Sequence, residues 1–212
     1  MQVRLREQRV RWLHPVALLL ACAPAAGLAL RFLQDEIGPD PIEELTHVTG
    51  EWGLRFVLLS LAITPLRRFF GLSVLAPLRR TFGLAGFAYA ALHFSTWATL
   101  DLGLDLPAIA ADIVERPFVT AGMAAFTILA ALAATSTRAA MKRLGKRWIT
   151  LHRAVYAAAA LAVLHHFWLI KADYRPAFVH AAILTALFAA RLADRLRRGR
   201  VRGPVAGAQP AG

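Results

Sequence analysis

Six blocks of apolar residues, each near the length that crosses a lipid bilayer, limit what this chain can fold into more than any other feature. They run over 13–33, 48–66, 82–100, 118–135, 151–170 and 177–192. A bilayer's hydrocarbon core is about 30 Å thick, so a helix needs about 20 residues to cross it. Hydrocarbon offers backbone N–H and C=O groups no partner, which selects helix for each block. With 58% hydrophobic residues in a chain of 212, the composition is that of a membrane protein. Arg55 interrupts the second block and makes it the weakest.

The formal net charge of +12 is sorted by loop. Basic residues precede the first block (Arg4, Arg6, Arg9, Arg11) and separate the second from the third (Arg67, Arg68, Arg79, Arg80). They also separate the fourth from the fifth (Arg138, Lys142, Arg143, Lys146, Arg147) and follow the sixth (Arg195, Arg197, Arg198, Arg200, Arg202). The other loops are acidic: Asp35, Glu36, Asp40, Glu43 and Glu44, then Asp101, Asp105, Asp112 and Glu115, then Asp173. The positive-inside rule places both termini in the cytoplasm, with odd helices running outward. The same alternation retains the second block, since dropping it would put a basic loop outside. Charge arranged this way sets topology and is not a nucleic-acid surface.

The basic N-terminus, apolar run and small residues from Ala21 to Gly27 also fit a secretory signal, but the unbroken alternation favours a retained helix. Cys22 is the single cysteine, which excludes an intramolecular disulfide and a CxxCH covalent haem site. The expected fold is an all-α bundle of six transmembrane helices. A basic N-terminal segment covers 1–12, the membrane domain 13–195, and a disordered basic tail 196–212. No internal repeat stands out and no Gly-rich phosphate loop follows a strand, so a nucleotide reductant would act through another protein.

Seven histidines occur, and depth sorts them. His14, His47 and His180 lie near block ends, where an interfacial role is expected. His93 lies well inside the third block, His152 near the inner end of the fifth, and His165 and His166 deeper in it. Ionisable residues at such depth are expensive and usually functional. Neutral imidazole ligates haem iron, and facing helices of a bundle supply axial ligands. Arg80 precedes His93 by thirteen residues, as His152 precedes His165, so on co-directional helices His93 and His165 reach similar depth. His152 lies about 20 Å inward of them at 1.5 Å per residue. Helical phase favours a different residue: at about 100° per residue, fourteen steps from His152 to His166 nearly close four turns and thirteen do not. Spacing alone leaves His165 and His166 open.

The stretches DPIEELTHVTG at 40–50, ITPLRR at 63–68, RRTFGLAGFAYAALH at 79–93 and RPFVTAG at 116–122 carry a resemblance, as does TSTRAAMKRLGKRWITLHRAVYAAAALAVLHHFWLIK at 135–171. In that order, over roughly residues 10 to 195, the chain resembles the MsrQ (YedZ) family, in the ferric-reductase-like transmembrane superfamily. The resemblance implies b-type haem, one or two, on His93, His152 and His165, with iron held through His93 and His165. His166 stands where an aromatic residue is usual and is the reserve ligand. Flavin mononucleotide is implied by resemblance only. Arg79, Arg80 and Arg153 are candidate contacts for haem propionates or a flavin phosphate, or simply topology-setting charge. The wider superfamily carries two histidines on each of two helices; here the inner position on the third helix is Arg80.

The implied role is a non-catalytic electron-transfer subunit in a bacterial inner membrane. It would link quinol or a flavin reductase to a periplasmic molybdopterin-containing methionine sulfoxide reductase subunit, for repair of oxidised periplasmic proteins. The acidic outer loops would steer a basic patch on that partner, an attraction that salt screens. A haem ferric or cupric reductase shares the same features. A histidine-lined transporter would use the same residues as a proton or metal path, and a structural anchor would give no reason to bury them.

Overall fold

The computed structural model describes residues 2–170 and 173–201, with side chains from 12 to 170 and from 173 to 198. All regular structure among them is helical. The elements are α1 (Gln2–Leu33), α2 (Pro41–Phe69), α3 (Leu78–Ser95), α4 (Leu106–Glu115), α5 (Pro117–Ala134), α6 (Arg138–Leu144), α7 (Lys146–His152), α8 (Val155–Leu169) and α9 (Arg175–Val201). A 3₁₀ turn, Ser73–Leu75, precedes α3, and a π-helical segment, Thr96–Asp101, continues it. Each apolar block is therefore helical, the fifth as the α7–α8 pair. Helix α9 runs beyond the tail boundary expected at 196, and residues 202–212 of that tail lie outside the described residues.

Loop chemistry sets the ends. Asp40 accepts a hydrogen bond from the Glu43 amide at 2.9 Å, and Pro41 follows at the first turn of α2. Asp105 caps α4 and Thr137 caps α6 in the same way. Gly145, at φ 51°, breaks α6 from α7, a conformation that costs a residue with a Cβ.

Helix α2 is the centre of the bundle. Leu54, Val57, Leu58 and Leu61 join Leu129 of α5, Ala158, Ala159 and Val163 of α8, and Leu184 of α9 in the main core cluster. The most extensive helix pairings are α2 with α3 and α5 with α8. In the first, Gly53 and Gly86 face each other closely enough that a Cβ on Gly86 would lie 2.8 Å from Val57 Cγ2 and 3.2 Å from the Gly53 carbonyl oxygen. Helices meet this closely where small residues line the contact.

Trp12–Leu33, Pro117–Ala134 and Arg175–Arg198 are long and apolar enough to cross a membrane by length and composition. Their outer faces are apolar as well, with Leu19 of α1 and Phe178 and Leu192 of α9 more than half exposed. Exposed apolar faces on long helices are the inverse of a soluble fold and suit lipid. Two arginines among the helices are paired. Arg55, which weakened the second block, bonds Glu51 one turn away and lies over the Trp52 ring at 4.9 Å. Arg191 of α9 donates to the Leu61 carbonyl on α2 and to the Tyr156 hydroxyl on α8.

The α2–α3 contact gives a direct test. Gly86→Ala pushes two helix backbones apart and should destabilise the solubilised protein by about 1–3 kcal/mol, the usual cost of overpacking. Gly27→Ala, where a Cβ meets nothing within 4 Å, should leave thermal unfolding unchanged.

Candidate functional site

Helices α3 and α8 bring His93 and His165 together, with ring centroids 5.9 Å apart and planes at 75°. Each ring is tied to the helix beside it. His93 Nδ1 donates to the Thr46 carbonyl of α2 at 2.8 Å, and His165 Nδ1 donates to the Phe118 carbonyl of α5 at 2.7 Å. A carbonyl only accepts, so Nδ1 carries the proton in both rings and Nε2 keeps its lone pair. Metal-binding histidines are commonly oriented in this way.

The pair fits one metal of a particular kind. Imidazoles bonded on opposite sides of one metal, at about 2.0 Å per bond, have centroids about 6 Å apart. No group of three or more His, Cys, Asp or Glu side chains suited to a metal occurs among the described residues. Two nitrogens do not complete a tetrahedral structural zinc site. They do complete an iron whose other positions a macrocycle supplies.

Helical phase, which favoured His166, is altered by a break. Between α7 and α8 the amides of Arg153, Ala154 and Tyr156 bond carbonyls three residues back. Such 3₁₀ steps rotate about 120° per residue rather than 100°. Three such steps advance both residues by only about 60°, so His166 stays nearer the phase of His152. His165 meets His93 because the pair does not lie on the His152 face of the helix. His166 points instead to α9, where its ring meets His180 edge to face at 5.2 Å. His166 Nε2 and His180 Nδ1 are buried without a hydrogen-bond partner. His180, expected at the interface, is only 5% exposed. Its burial depends on which face of α9 meets α8, and the one-dimensional sequence does not show that. His14 and His47 are exposed, and His47 lies 3.8 Å from Glu43.

His152 does not join the pair. It stacks on Trp148 at 3.9 Å and donates through Nδ1 to the Trp148 carbonyl at 3.1 Å. It lines a separate cavity of about 430 Å³ with Arg79, Arg80 and Arg153, walled by α2, α3, α5, α7 and α8. Arg79 lies ahead of the apolar block on α3. Burial holds its pKa below the ordinary guanidinium value; Tyr156 opposes that effect, and Arg191, Arg67 and Arg68 add to it. The guanidinium stays charged, so the cavity is electropositive and would accept an anionic group.

Residues 49–163 match the family described as ferric reductase like transmembrane component, a match that contains His93 and His152 and ends just before His165. The chain is 46% identical over 187 residues to the protein-methionine-sulfoxide reductase heme-binding subunit MsrQ of Rhodospirillum rubrum, covering 87% of this chain and 90% of that protein. The protein of the same name from Bordetella pertussis is 44% identical, over 88% of this chain and 91% of its own length. That from Xanthomonas euvesicatoria is 41% identical, over 83% and 84%. The chain belongs to the MsrQ family. Membership makes it a membrane protein of the ferric-reductase-like class, as the apolar helices imply. His165, rather than His166, is the residue whose ring meets His93.

Proposed function

We propose that this MsrQ-family chain is a haem b electron-transfer subunit of a bacterial inner membrane. It would pass electrons from the quinone pool or a flavin-linked donor to a periplasmic molybdopterin-containing methionine sulfoxide reductase subunit. The observation that carries this reading is the His93–His165 pair, each Nδ1 fixed on a carbonyl and each Nε2 left free to ligate. Bound there, a haem supplies a one-electron couple between the two sides of the membrane. The chain's own residues hold the iron ligands in orientation and keep water away, through Phe118 beside His165 and the apolar helices around both rings.

In this reading, all six apolar blocks cross the bilayer as α1, α2, α3, α5, α7–α8 and α9, with both termini cytoplasmic. The pair then lies in the outer half, toward a periplasmic partner, and the basic cavity in the inner half, toward a cytoplasmic donor. His152 supports the inner site, where Arg79, Arg80 and Arg153 would hold a propionate or the phosphate of flavin mononucleotide. The outer acidic residues are partly committed locally: Asp40 and Asp105 cap helices, while Glu44 pairs with Arg31 and Asp112 with Arg116. Long-range attraction to a partner therefore falls to the carboxylates in the first two outer loops not paired with arginine, Asp35, Glu36, Asp40, Glu43, Asp101, Asp105 and Glu115, since capping leaves their charge intact.

A ferric or cupric reductase is the second reading, favoured by the description of the matching family. It shares the ligand pair but needs no sulfoxide-reducing partner.

The reduced-minus-oxidised spectrum of purified protein, with haem counted per chain, tests the pair. His93→Ala and His165→Ala should each lose the b-type signal, while His166→Ala and His14→Ala keep it. Normal haem in both of the first two variants would sink the ligand assignment. For topology, alkaline phosphatase fused after Gly103 should be active and after Gly145 inactive; the reverse pattern contradicts the six-span reading. For the inner cavity, Arg79→Gln with Arg153→Gln should weaken flavin mononucleotide binding at least about tenfold by fluorescence titration, as expected when charge-assisted bonds to phosphate are lost, and leave the outer haem signal intact. Unchanged flavin affinity would remove these arginines from the site.

A further inference from the structure

We propose that Gly50 and Gly122 are positioning residues for the two histidines, forming one repeated device carried by the α2–α3 and α5–α8 helix pairs. The proposal rests on the reading that His93 and His165 hold one haem iron.

Gly50 lies one helical turn after Thr46, whose carbonyl accepts from His93, and Gly122 lies one turn after Phe118, whose carbonyl accepts from His165. In an α-helix the carbonyl of residue i also accepts from the amide of residue i+4. Each carbonyl thus uses its second lone pair on the imidazole, and the ring lies along the helix surface over the residue one turn on. A Cβ on Gly50 would be 2.9 Å from His93 Nδ1 and 3.1 Å from Cε1. A Cβ on Gly122 would be 2.8 Å from His165 Nδ1 and 3.0 Å from Cε1. The atoms struck belong to a rigid ring held by its own hydrogen bond, so an alanine has to turn or lift the imidazole.

The two devices share a register. Acceptor and histidine are 47 residues apart in both. Small residues recur at the same offsets. Gly53 and Gly86 meet in the first pair, and at the equivalent distances from Gly122 and His165 stand Ala125 and Ala158, both buried. No repeat stood out in the sequence because the shared features are a backbone carbonyl, a missing Cβ and small buried residues, with little residue identity. The consequence for ligation is that each axial nitrogen is oriented independently by its own helix pair. Fixing Nδ1–H on a carbonyl sets the tautomer and ring plane and makes Nε2 a stronger donor.

The test compares Gly50→Ala and Gly122→Ala with the parent, read in native membranes so that protein marginal in detergent is still measured. Readouts are haem per chain, the low-spin electron paramagnetic resonance signal and the midpoint potential. Each variant should show a displaced or lost low-spin signal and haem retained about 10- to 100-fold more weakly, the usual effect of removing an outer partner of a metal ligand. Leu61→Ala is the structural control: Leu61 is fully buried in the main core cluster, which contains no histidine. It should lower stability by leaving a cavity, without moving the signal or the potential. Parental signal, potential and haem affinity in both Gly50→Ala and Gly122→Ala would overturn the proposal, as would equal spectral changes in Leu61→Ala. Haem loss in His93→Ala and His165→Ala alongside such a result leaves the ligand pair standing and removes only the glycine device. Haem retained in both histidine variants removes the ligand pair itself.

Discussion

A ring nitrogen placed among apolar helices has no water to bond, and an orphaned polar group there costs several kcal/mol in order of magnitude. For His93 and His165 the partners come from the protein, as carbonyls that already serve a helix. The hydrogen bonds of His93 to Thr46 and of His165 to Phe118 each join a histidine helix to the helix packed beside it. The same economy recurs at Arg191, which reaches the Leu61 carbonyl, and at Tyr89, which donates to Ala21 and accepts from the Ala25 amide. Polar side chains thus link α1 to α3, α2 to α9, and both supporting helices to their histidines, within a core that is otherwise largely apolar.

Much of the fold was legible because the bilayer imposes a one-dimensional rule: apolar length marks helices, and loop charge marks sides. That rule located all six helical blocks and separated His93 and His165, at matching depth, from His152 nearer the basic loops. The rule contains no rotation about the helix axis. The choice between His165 and His166 turned on which face of α8 meets α3: phase was counted from His152, and His152 faces a different cavity from the one where His165 meets His93. The burial of His180 against His166 was hidden for the same reason, since it depends on which face of α9 meets α8. Arg55 shows the converse: a residue that weakens a hydropathy window is accommodated by Glu51 one turn away, a pairing that periodicity at i and i+4 makes readable.

The site divides into two regions of unlike chemistry. Around His93 and His165 the neighbours are aromatic and aliphatic, and each ring is held through Nδ1 on a backbone carbonyl. Around His152 the walls carry Arg79, Arg80 and Arg153, and the histidine's own nitrogens are engaged with Trp148 and, more distantly at 3.5 Å, with Ser136. A histidine so engaged, beside guanidinium groups and with no second imidazole facing it, is better placed to help bind an anion than to repeat the outer ligation. Arg80 belongs with the other arginines: with Arg79 and Arg153 it makes the region around His152 a basic chamber rather than a second facing pair.

That division bears on why the outer site needs its own rigid support. A chamber lined by long arginine side chains can adapt to its occupant, since several rotatable bonds separate each charge from the backbone. Two imidazoles cannot adapt in this way. Their nitrogens act only along a fixed direction in the ring plane, so orientation has to be built into the helices before ligation, as preorganised metal sites require. Thr46 and Phe118 supply the direction through backbone oxygen, which no side-chain substitution removes. Gly50 and Gly122 supply the space, which any substitution removes. The geometry of the pair is thereby tied to the most rigid parts of two helices, and the chain's tolerance to change at these positions is set by the width of an imidazole ring.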